Sequence, residues 1–309
     1  LNFQPDLLWF KRRNSSDISH VLYDAIRGTS NALRINEVAD QSAFGDAVVT
    51  STSDGFTITG SNTGGLNNTG DQMVGWFWDA GTAAVTPSSS YDITPSAQWV
   101  NATAGFSITQ FTNSSGDTSR SVPHGLGAKP ELLIMKRTGG TSNWEAYVDT
   151  FDGSYDNLKL HDTNTKSDSS YTIFNNNTFH CEASGSTTWM AYCWTPIPGF
   201  SYFTSFKGNS GADGAFVNCG FRPKFVILKN TANASAPYYI LDSARSPNNE
   251  VVKSLQVNQA GDESTDSNFL DFVSNGFKLR SDGNYVNQSG CNFFVMAFAE
   301  HPYKTARAR

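Results

Sequence analysis

Along this chain the apolar residues gather in short runs divided by Ser, Thr, Asn and Gly, with no long stretch of helical period. Three runs open alike: Pro5-Asp6-Leu7-Leu8-Trp9-Phe10-Lys11, Pro130-Glu131-Leu132-Leu133-Ile134-Met135-Lys136 and Pro223-Lys224-Phe225-Val226-Ile227-Leu228-Lys229. Four apolar residues in a row, closed by Lys, predict a strand buried on both faces at the centre of a sheet. Proline is tolerated at such a start because its missing N–H lies outside the ladder. A second strand is predicted over Trp144 to Val148 and over Tyr238 to Leu241. Asp54-Gly55 and Asn275-Gly276 are turn signals that lead into Phe56-Thr57-Ile58 and Phe277-Lys278-Leu279-Arg280.

Further landmarks recur at matching offsets. Nineteen residues after each Pro stands an Asp: Asp24, Asp149 and Asp242. Later come Phe56, Phe179 and Phe277, and each copy closes on an aromatic run, Trp76-Phe77-Trp78, Tyr192-Cys193-Trp194 and Phe298 after Val295-Met296-Ala297. The second and third copies share an opening strand, Gly105-Phe106-Ser107-Ile108-Thr109 and Gly199-Phe200-Ser201-Tyr202-Phe203, which the first copy lacks. That strand is expected either upstream in a longer protein or from another segment. A start at Leu1 without Met fits a processed product or a fragment. The expected fold is all-β: tandem antiparallel β-sandwich or jelly-roll-like modules in three related repeats. Residues 1–81 form repeat 1, 82–104 a linker, 105–198 repeat 2 and 199–309 repeat 3. A β-propeller is the alternative, but a copy is about twice the length of a typical blade.

The repeated Lys and Asp predict one structural ion pair per module, Lys11–Asp24, Lys136–Asp149 and Lys229–Asp242, because either group buried alone is costly. The competing reading has each cap its own turn in water.

Composition narrows the function. Charged residues make up only 16% of 309, and net charge is −6. That balance offers no footprint for nucleic acid or an anionic membrane. No apolar stretch is long enough to span a bilayer. Aromatics at 13% suffice for a large core. Of the four cysteines, Cys181, Cys193, Cys219 and Cys291, none forms a Cys-x-x-Cys pair, and Cys193 and Cys291 lie in apolar runs as small hydrophobes.

Catalytic patterns are sparse. His20, His124, His161, His180 and His301 show no helical metal spacing, and His180-Cys181 is a lone adjacent pair. No nucleophile elbow, phosphate loop or dinucleotide fingerprint occurs. Loop acids such as Asp152, Asp156, Asp162 and Asp168 admit a glycosidase pair only if two meet in space. Asp262-Glu263-Ser264-Thr265-Asp266 lacks the calcium-loop pattern and reads as a solvated loop. Trp99, Trp144, Tyr155 and Tyr171 lie near loops as candidates for stacking on sugar, against a role in filling small cores.

The strings Val122-Pro123-His124-Gly125-Leu126-Gly127-Ala128-Lys129-Pro130, Gly220-Phe221-Arg222-Pro223, Leu241-Asp242-Ser243-Ala244-Arg245 and Met296-Ala297-Phe298-Ala299-Glu300-His301-Pro302-Tyr303 resemble a β-rich repeat domain. That domain is found in tail-associated structural proteins of bacteriophages, marine and cyanobacterial phages especially. The resemblance implies an all-β fold, a place on the extracellular virus particle, and partners among other virion proteins and further copies of the chain. It implies no catalytic residues and no cofactor. The leading expectation is therefore a non-enzymatic virion structural protein of tail or fibre, building an oligomeric appendage. A carbohydrate-binding adhesin contacting host glycan, or a head decoration protein, is the alternative. A glycan-degrading enzyme ranks last.

Overall fold

The computed structural model describes residues 1–44, 48–60, 65–115, 119–149, 153–169, 173–181, 186–265 and 269–301. Repeat 1 comprises β1 (Leu7–Arg12), β2 (Val21–Asp24), β3 (Gly28–Arg34), β4 (Val48–Thr52), β5 (Gly55–Thr59) and β6 (Met73–Trp78). Then follow β7 (Ala84–Val85), β8 (Ala97–Asn101), β9 (Phe106–Asn113), β10 (Arg120–Pro123), β11 (Leu132–Arg137), β12 (Trp144–Val148), β13 (Asp156–Lys159), β14 (Ser167–Asp168), β15 (Thr178–Cys181) and β16 (Thr187–Trp194). Repeat 3 holds β17 (Ser201–Lys207), β18 (Phe216–Asn218), β19 (Pro223–Asn230), β20 (Tyr238–Asp242), β21 (Leu255–Gln256), β22 (Leu270–Val273), β23 (Gly276–Leu279), the single turn α1 (Asn284–Asn287) and β24 (Asn292–Ala299). All named pairings are antiparallel, as expected for an all-β sandwich fold.

Each repeat contributes one main sheet built in the same order. The sheets run β3-β2-β1-β6, β14-β13-β12-β11-β16-β9-β8-β7 and β17-β24-β19-β20-β21. The three Pro-led strands β1, β11 and β19 are central, and their period-two alternation explains the four-residue apolar runs. Leu7 and Trp9, Leu132 and Ile134, and Phe225 and Ile227 point to one common core. Leu8 and Phe10, Leu133 and Met135, and Val226 and Leu228 point away, each pair into its own outer core. Small second sheets cover those outer cores: β4-β5, β10-β15 and β18-β23-β22. The β4-β5 and β22-β23 hairpins turn at the Asp-Gly and Asn-Gly signals.

The modules are therefore not a string of independent sandwiches. All three main sheets share one core, and their closing aromatics meet in it. Trp78, Trp194 and Phe298 stand opposite Leu7, Leu132 and Phe225 in the strand registers. Trp78 lies 6.0 Å from Trp194 and 5.6 Å from Phe298, edge to face in both cases. Three equivalent positions thus touch or nearly touch at the centre of a pseudo-threefold arrangement. Each isolated repeat would expose its inner face, so burial there couples the three.

Two expectations need correction. The segment 82–104 is not a free linker, because β7 and β8 extend the second sheet by pairing outward from β9. The shared string Gly-Phe-Ser also slips by one position. Phe106 faces Trp194, whereas Ser201, not Phe200, faces the equivalent Phe298. What the two opening strands have in common is an apolar residue opposite the next inward position, Ile108 opposite Tyr192 and Phe203 opposite Met296.

Candidate functional site

The three Lys and three Asp do not pair with each other. Antiparallel registers place Leu7 opposite Asp24 and Phe225 opposite Asp242. Each Lys lies four residues further along its strand, about 13 Å from its Asp. The predicted pairs Lys11–Asp24, Lys136–Asp149 and Lys229–Asp242 are overturned by this geometry.

The lysines instead join the repeats in a ring. Each shares the inward face of its strand, so its side chain ends at the rim of the common core, where all three are 0% exposed. Lys11 Nζ donates to Ala260 O of repeat 3 at 2.9 Å, Lys136 Nζ to Val38 O of repeat 1 at 3.0 Å, and Lys229 Nζ to Thr163 O of repeat 2 at 2.9 Å. Local carbonyls complete the shells: Arg12 O, Ser142 O and Ala236 O. Lys136 also lies over the Trp144 ring and Lys229 over Tyr238. His20 occupies the equivalent place beside Lys11; its Nδ1 accepts from Trp9 Nε1 and its Nε2 is bonded to Gln256 O.

The aspartates form a second set of joints. Asp24 accepts from Arg27 Nε at 2.6 Å and from the Tyr192 hydroxyl of repeat 2 at 2.8 Å. Asp242 accepts from Arg245 Nε at 2.6 Å and, at 3.4 Å, from Trp76 Nε1 of repeat 1. Asp149 departs from the pattern for a countable reason. Lys11 and His20 are nine residues apart, as are Lys229 and Tyr238, but Lys136 and its partner Trp144 are only eight apart. The shorter hairpin brings Val148, not Asp149, into the Asp position opposite Leu132. A one-residue slip reverses the face, and Asp149 pairs with Lys129 outside the core. Trp76, Tyr192 and Met296 are equivalent by register. The junction between repeats 2 and 3 thus has Val148 and Met296 where the others have an acid and a donor. Both polar partners have been exchanged for apolar ones together, the near-neutral route.

An apolar cavity lies against β6. It measures about 560 Å³ and is lined by Val74, Trp76, Trp78, Phe106, Phe225 and Phe298, with Asp242 at its wall. Among the described residues β6 pairs only with β1, whereas β16 carries β9 and β24 carries β17 on the corresponding side. A slot thus lies along the side of β6 where the sibling sheets carry β9 and β17.

The family model for a domain of unknown function, DUF7483, matches residues 1–302. The chain belongs to the DUF7483 family. The match spans all three repeats and the slot, so the family unit is the closed ring and not a single module. No curated protein and no solved structure matches the chain.

In this DUF7483 chain the residues singled out for sugar stacking do not build one face. Trp144 is fully buried and donates through Nε1 to Arg34 O of repeat 1. Tyr155 bonds Phe174 O and packs on the second repeat's outer core. Trp99 packs against the common core from β8. Tyr171 and Asp152 lie outside the described residues, as does Asp266. Glu263 is not a solvated loop acid: Arg13 holds it at 2.7 Å and Arg245 at 3.1 Å. Burial raises that carboxyl, but the two guanidinium groups outweigh it and hold it below its ordinary range. Asp156 is buried against Lys166, Asp168 faces it from the exposed edge strand β14 and bonds the same lysine, and Asp162 stays in a half-buried bend. Among the described residues no three His, Cys, Asp or Glu side chains gather as a metal site requires. Cys193 and Cys219 are free and buried, and Cys291 is free and half-buried. The Cys181 side chain lies outside the described set.

Burial lowers each ring lysine from 10.5 to about 8. Between pH 8 and 9 the unfolded chain therefore holds protons that the folded chain has released, and stability rises with pH. Each such proton is worth at most about 1.4 kcal/mol per pH unit. Above pH 9 the buried thiols oppose the gain, Cys219 being pushed up to about 12 by burial. Above pH 10 so do Tyr23, raised to about 12, and Tyr192 and Tyr238, raised by burial. The melting temperature is expected to climb from pH 8 to 9, level off, and fall beyond pH 10. A scan that declines steadily from pH 8 would contradict the buried-lysine ring.

Proposed function

We propose that this chain is a structural component of a virus particle, tail- or fibre-associated, that builds an oligomeric appendage and has no catalytic role. The observation behind this reading is the lysine ring. Its ammonium groups are tied to backbone carbonyls across all three junctions, where they brace the ring and are unavailable to a substrate. The acids that tie the repeats together, Asp24, Asp242 and Glu263, are likewise held by arginines. A charge-poor, cross-braced β unit suits a part that must stay folded outside a cell and contact neighbours through its loops. The resemblance of its repeat strings to phage tail-associated domains is what favours a place on tail or fibre.

Mass spectrometry of gradient-purified particles from a producing host tests this reading, together with immunogold labelling of the intact particle. The chain is expected at stoichiometric abundance, with label on tail or fibre. Its absence from purified particles while present in the lysate would remove the proposal.

A further inference from the structure

Three equivalent joints can cross each seam of the ring, and the seam between repeats 2 and 3 makes only one of them as a polar bond. The first joint is the lysine, bonded across every seam: Lys136 to Val38 O, Lys11 to Ala260 O and Lys229 to Thr163 O. The second is the ring that follows each lysine. Trp144 of repeat 2 donates to Arg34 O of repeat 1, and His20 of repeat 1 is bonded to Gln256 O of repeat 3. The residue after each of these carbonyls donates to the ring residue of its own repeat, Ile35 N to His20 O and Val257 N to Tyr238 O. Leu160 N donates to Trp144 O in the same way, which places Lys159 O as the third such carbonyl. Tyr238 of repeat 3 is the ring due to meet it, and its buried hydroxyl has no hydrogen-bond partner among the described residues. A phenol carries its polar atom on the ring axis, whereas indole and imidazole carry theirs at the side. The third joint is the acid and its donor, Asp24 with Tyr192 and Asp242 with Trp76, and here the places are held by Val148 and Met296.

Opening a sibling seam breaks a bond between ring and carbonyl. Opening the seam between repeats 2 and 3 hydrates a hydroxyl that the closed ring leaves unsatisfied, so the same motion there removes a cost. Val148 against Met296 supplies apolar contact, which has no direction and does not fix the angle of the seam. The chain also provides a hinge. Repeats 2 and 3 are joined through residues 195–200, a tight turn in which Phe200 N and Ser201 N both donate to Ile197 O at 2.9 Å. That turn leads into Ser201, which faces Phe298 as Phe225 does from the other side. Lys229 lies four residues further along β19, about 13 Å away at the far end of the seam.

We propose that the ring opens as a jaw at the lysine end of the seam between repeats 2 and 3, hinged on residues 195–200, while the other two seams stay closed. The unsatisfied Tyr238 hydroxyl is what selects this seam. The inference rests on the joints and registers and holds whether or not the assembly is a virion.

Native-state hydrogen exchange on the intact protein tests this, because one half-buried backbone amide crosses each seam. Lys166 N donates to Thr231 O between repeats 2 and 3, Ser142 N to Val38 O between repeats 1 and 2, and Glu263 N to Arg13 O between repeats 3 and 1. The Lys166 amide is expected to exchange at least about tenfold faster than the other two after correction for intrinsic rates. Its opening is expected to depend on denaturant less steeply than global unfolding does. Tyr238→Phe keeps the ring beneath Lys229 and removes the hydroxyl, so it is expected to slow the Lys166 amide about tenfold and to leave Ser142 and Glu263 unchanged. Equal protection of the three amides would overturn the proposal. So would a Tyr238→Phe variant in which the Lys166 amide keeps its rate, or in which all three amides slow together.

Discussion

Replacing Lys229 by Met is expected to lower the unfolding free energy by about 3 kcal/mol, although the two side chains are similar in length. Lys229 Nζ serves Thr163 O at 2.9 Å, part-buried, and Ala236 O at 2.7 Å, buried. Met removes the burial cost of the ammonium, but it leaves those acceptors without a donor, at about 1–3 kcal/mol each. The acceptors are worth more than the relief, so the sign is destabilising. Thr163 belongs to repeat 2, so the loss is also expected to loosen the neighbouring loop, read as faster hydrogen exchange near residues 161–166. Lys207→Met on an exposed strand end supplies the comparison and should stay within about 0.5 kcal/mol. Chemical denaturation that ranks the two variants together would show that the ring contributes nothing. The same argument applies to Lys11 and Lys136, and the triple variant is expected not to fold.

Asp24→Val is expected to cost about 4 kcal/mol by itself and much less in company. The single change leaves the Arg27 guanidinium, whose side chain is 3% exposed, facing the core without its counter-charge. It also strips the Tyr192 hydroxyl of its acceptor. Adding Arg27→Leu and Tyr192→Phe removes both stranded groups, and the triple variant should recover at least half of the loss. The chain itself contains the precedent: Val148 occupies the Asp24 place in repeat 2, and its counterpart across the junction is Met296. A double-mutant cycle between positions 24 and 27 should give a coupling of about 2 kcal/mol. Additive losses would mean that the two residues act separately and that the buried pair is not a unit.

How much of this was readable in advance depends on the range over which each signal acts. The Pro-led strands were legible because burial on both faces writes itself as a continuous apolar run, and the turns because Asp-Gly and Asn-Gly supply the backbone freedom that tight hairpins need. The repeated Lys was legible as a position under constraint, but its role was not. Its partners are backbone carbonyls at Ala260, Val38 and Thr163, and a carbonyl leaves no trace in residue identity. The Asp pairing failed because the antiparallel register sets Asp24 and Asp242 opposite Leu7 and Phe225, four residues from the Lys, and Asp149 failed further for a reason that counting reveals afterwards. Constant spacing from Pro does not mean constant facing when a hairpin shortens by one residue, as it does before Trp144. The sugar-stacking candidates failed because a loop-flanking aromatic looks the same whether it faces water or, like Trp144, a neighbouring repeat.

By itself, then, the amino-acid order determined the strands, their alternation and the threefold repetition. Those properties depend on neighbours a few residues apart, where side-chain period and turn chemistry are decisive. Only the tertiary structure decided that the three sheets close on one core, that lysines link each repeat to the next, and that an apolar slot lies beside β6. Contacts across as many as 250 residues of chain set these features. They arise because each sheet's inner face is apolar and finds cover only in the other two.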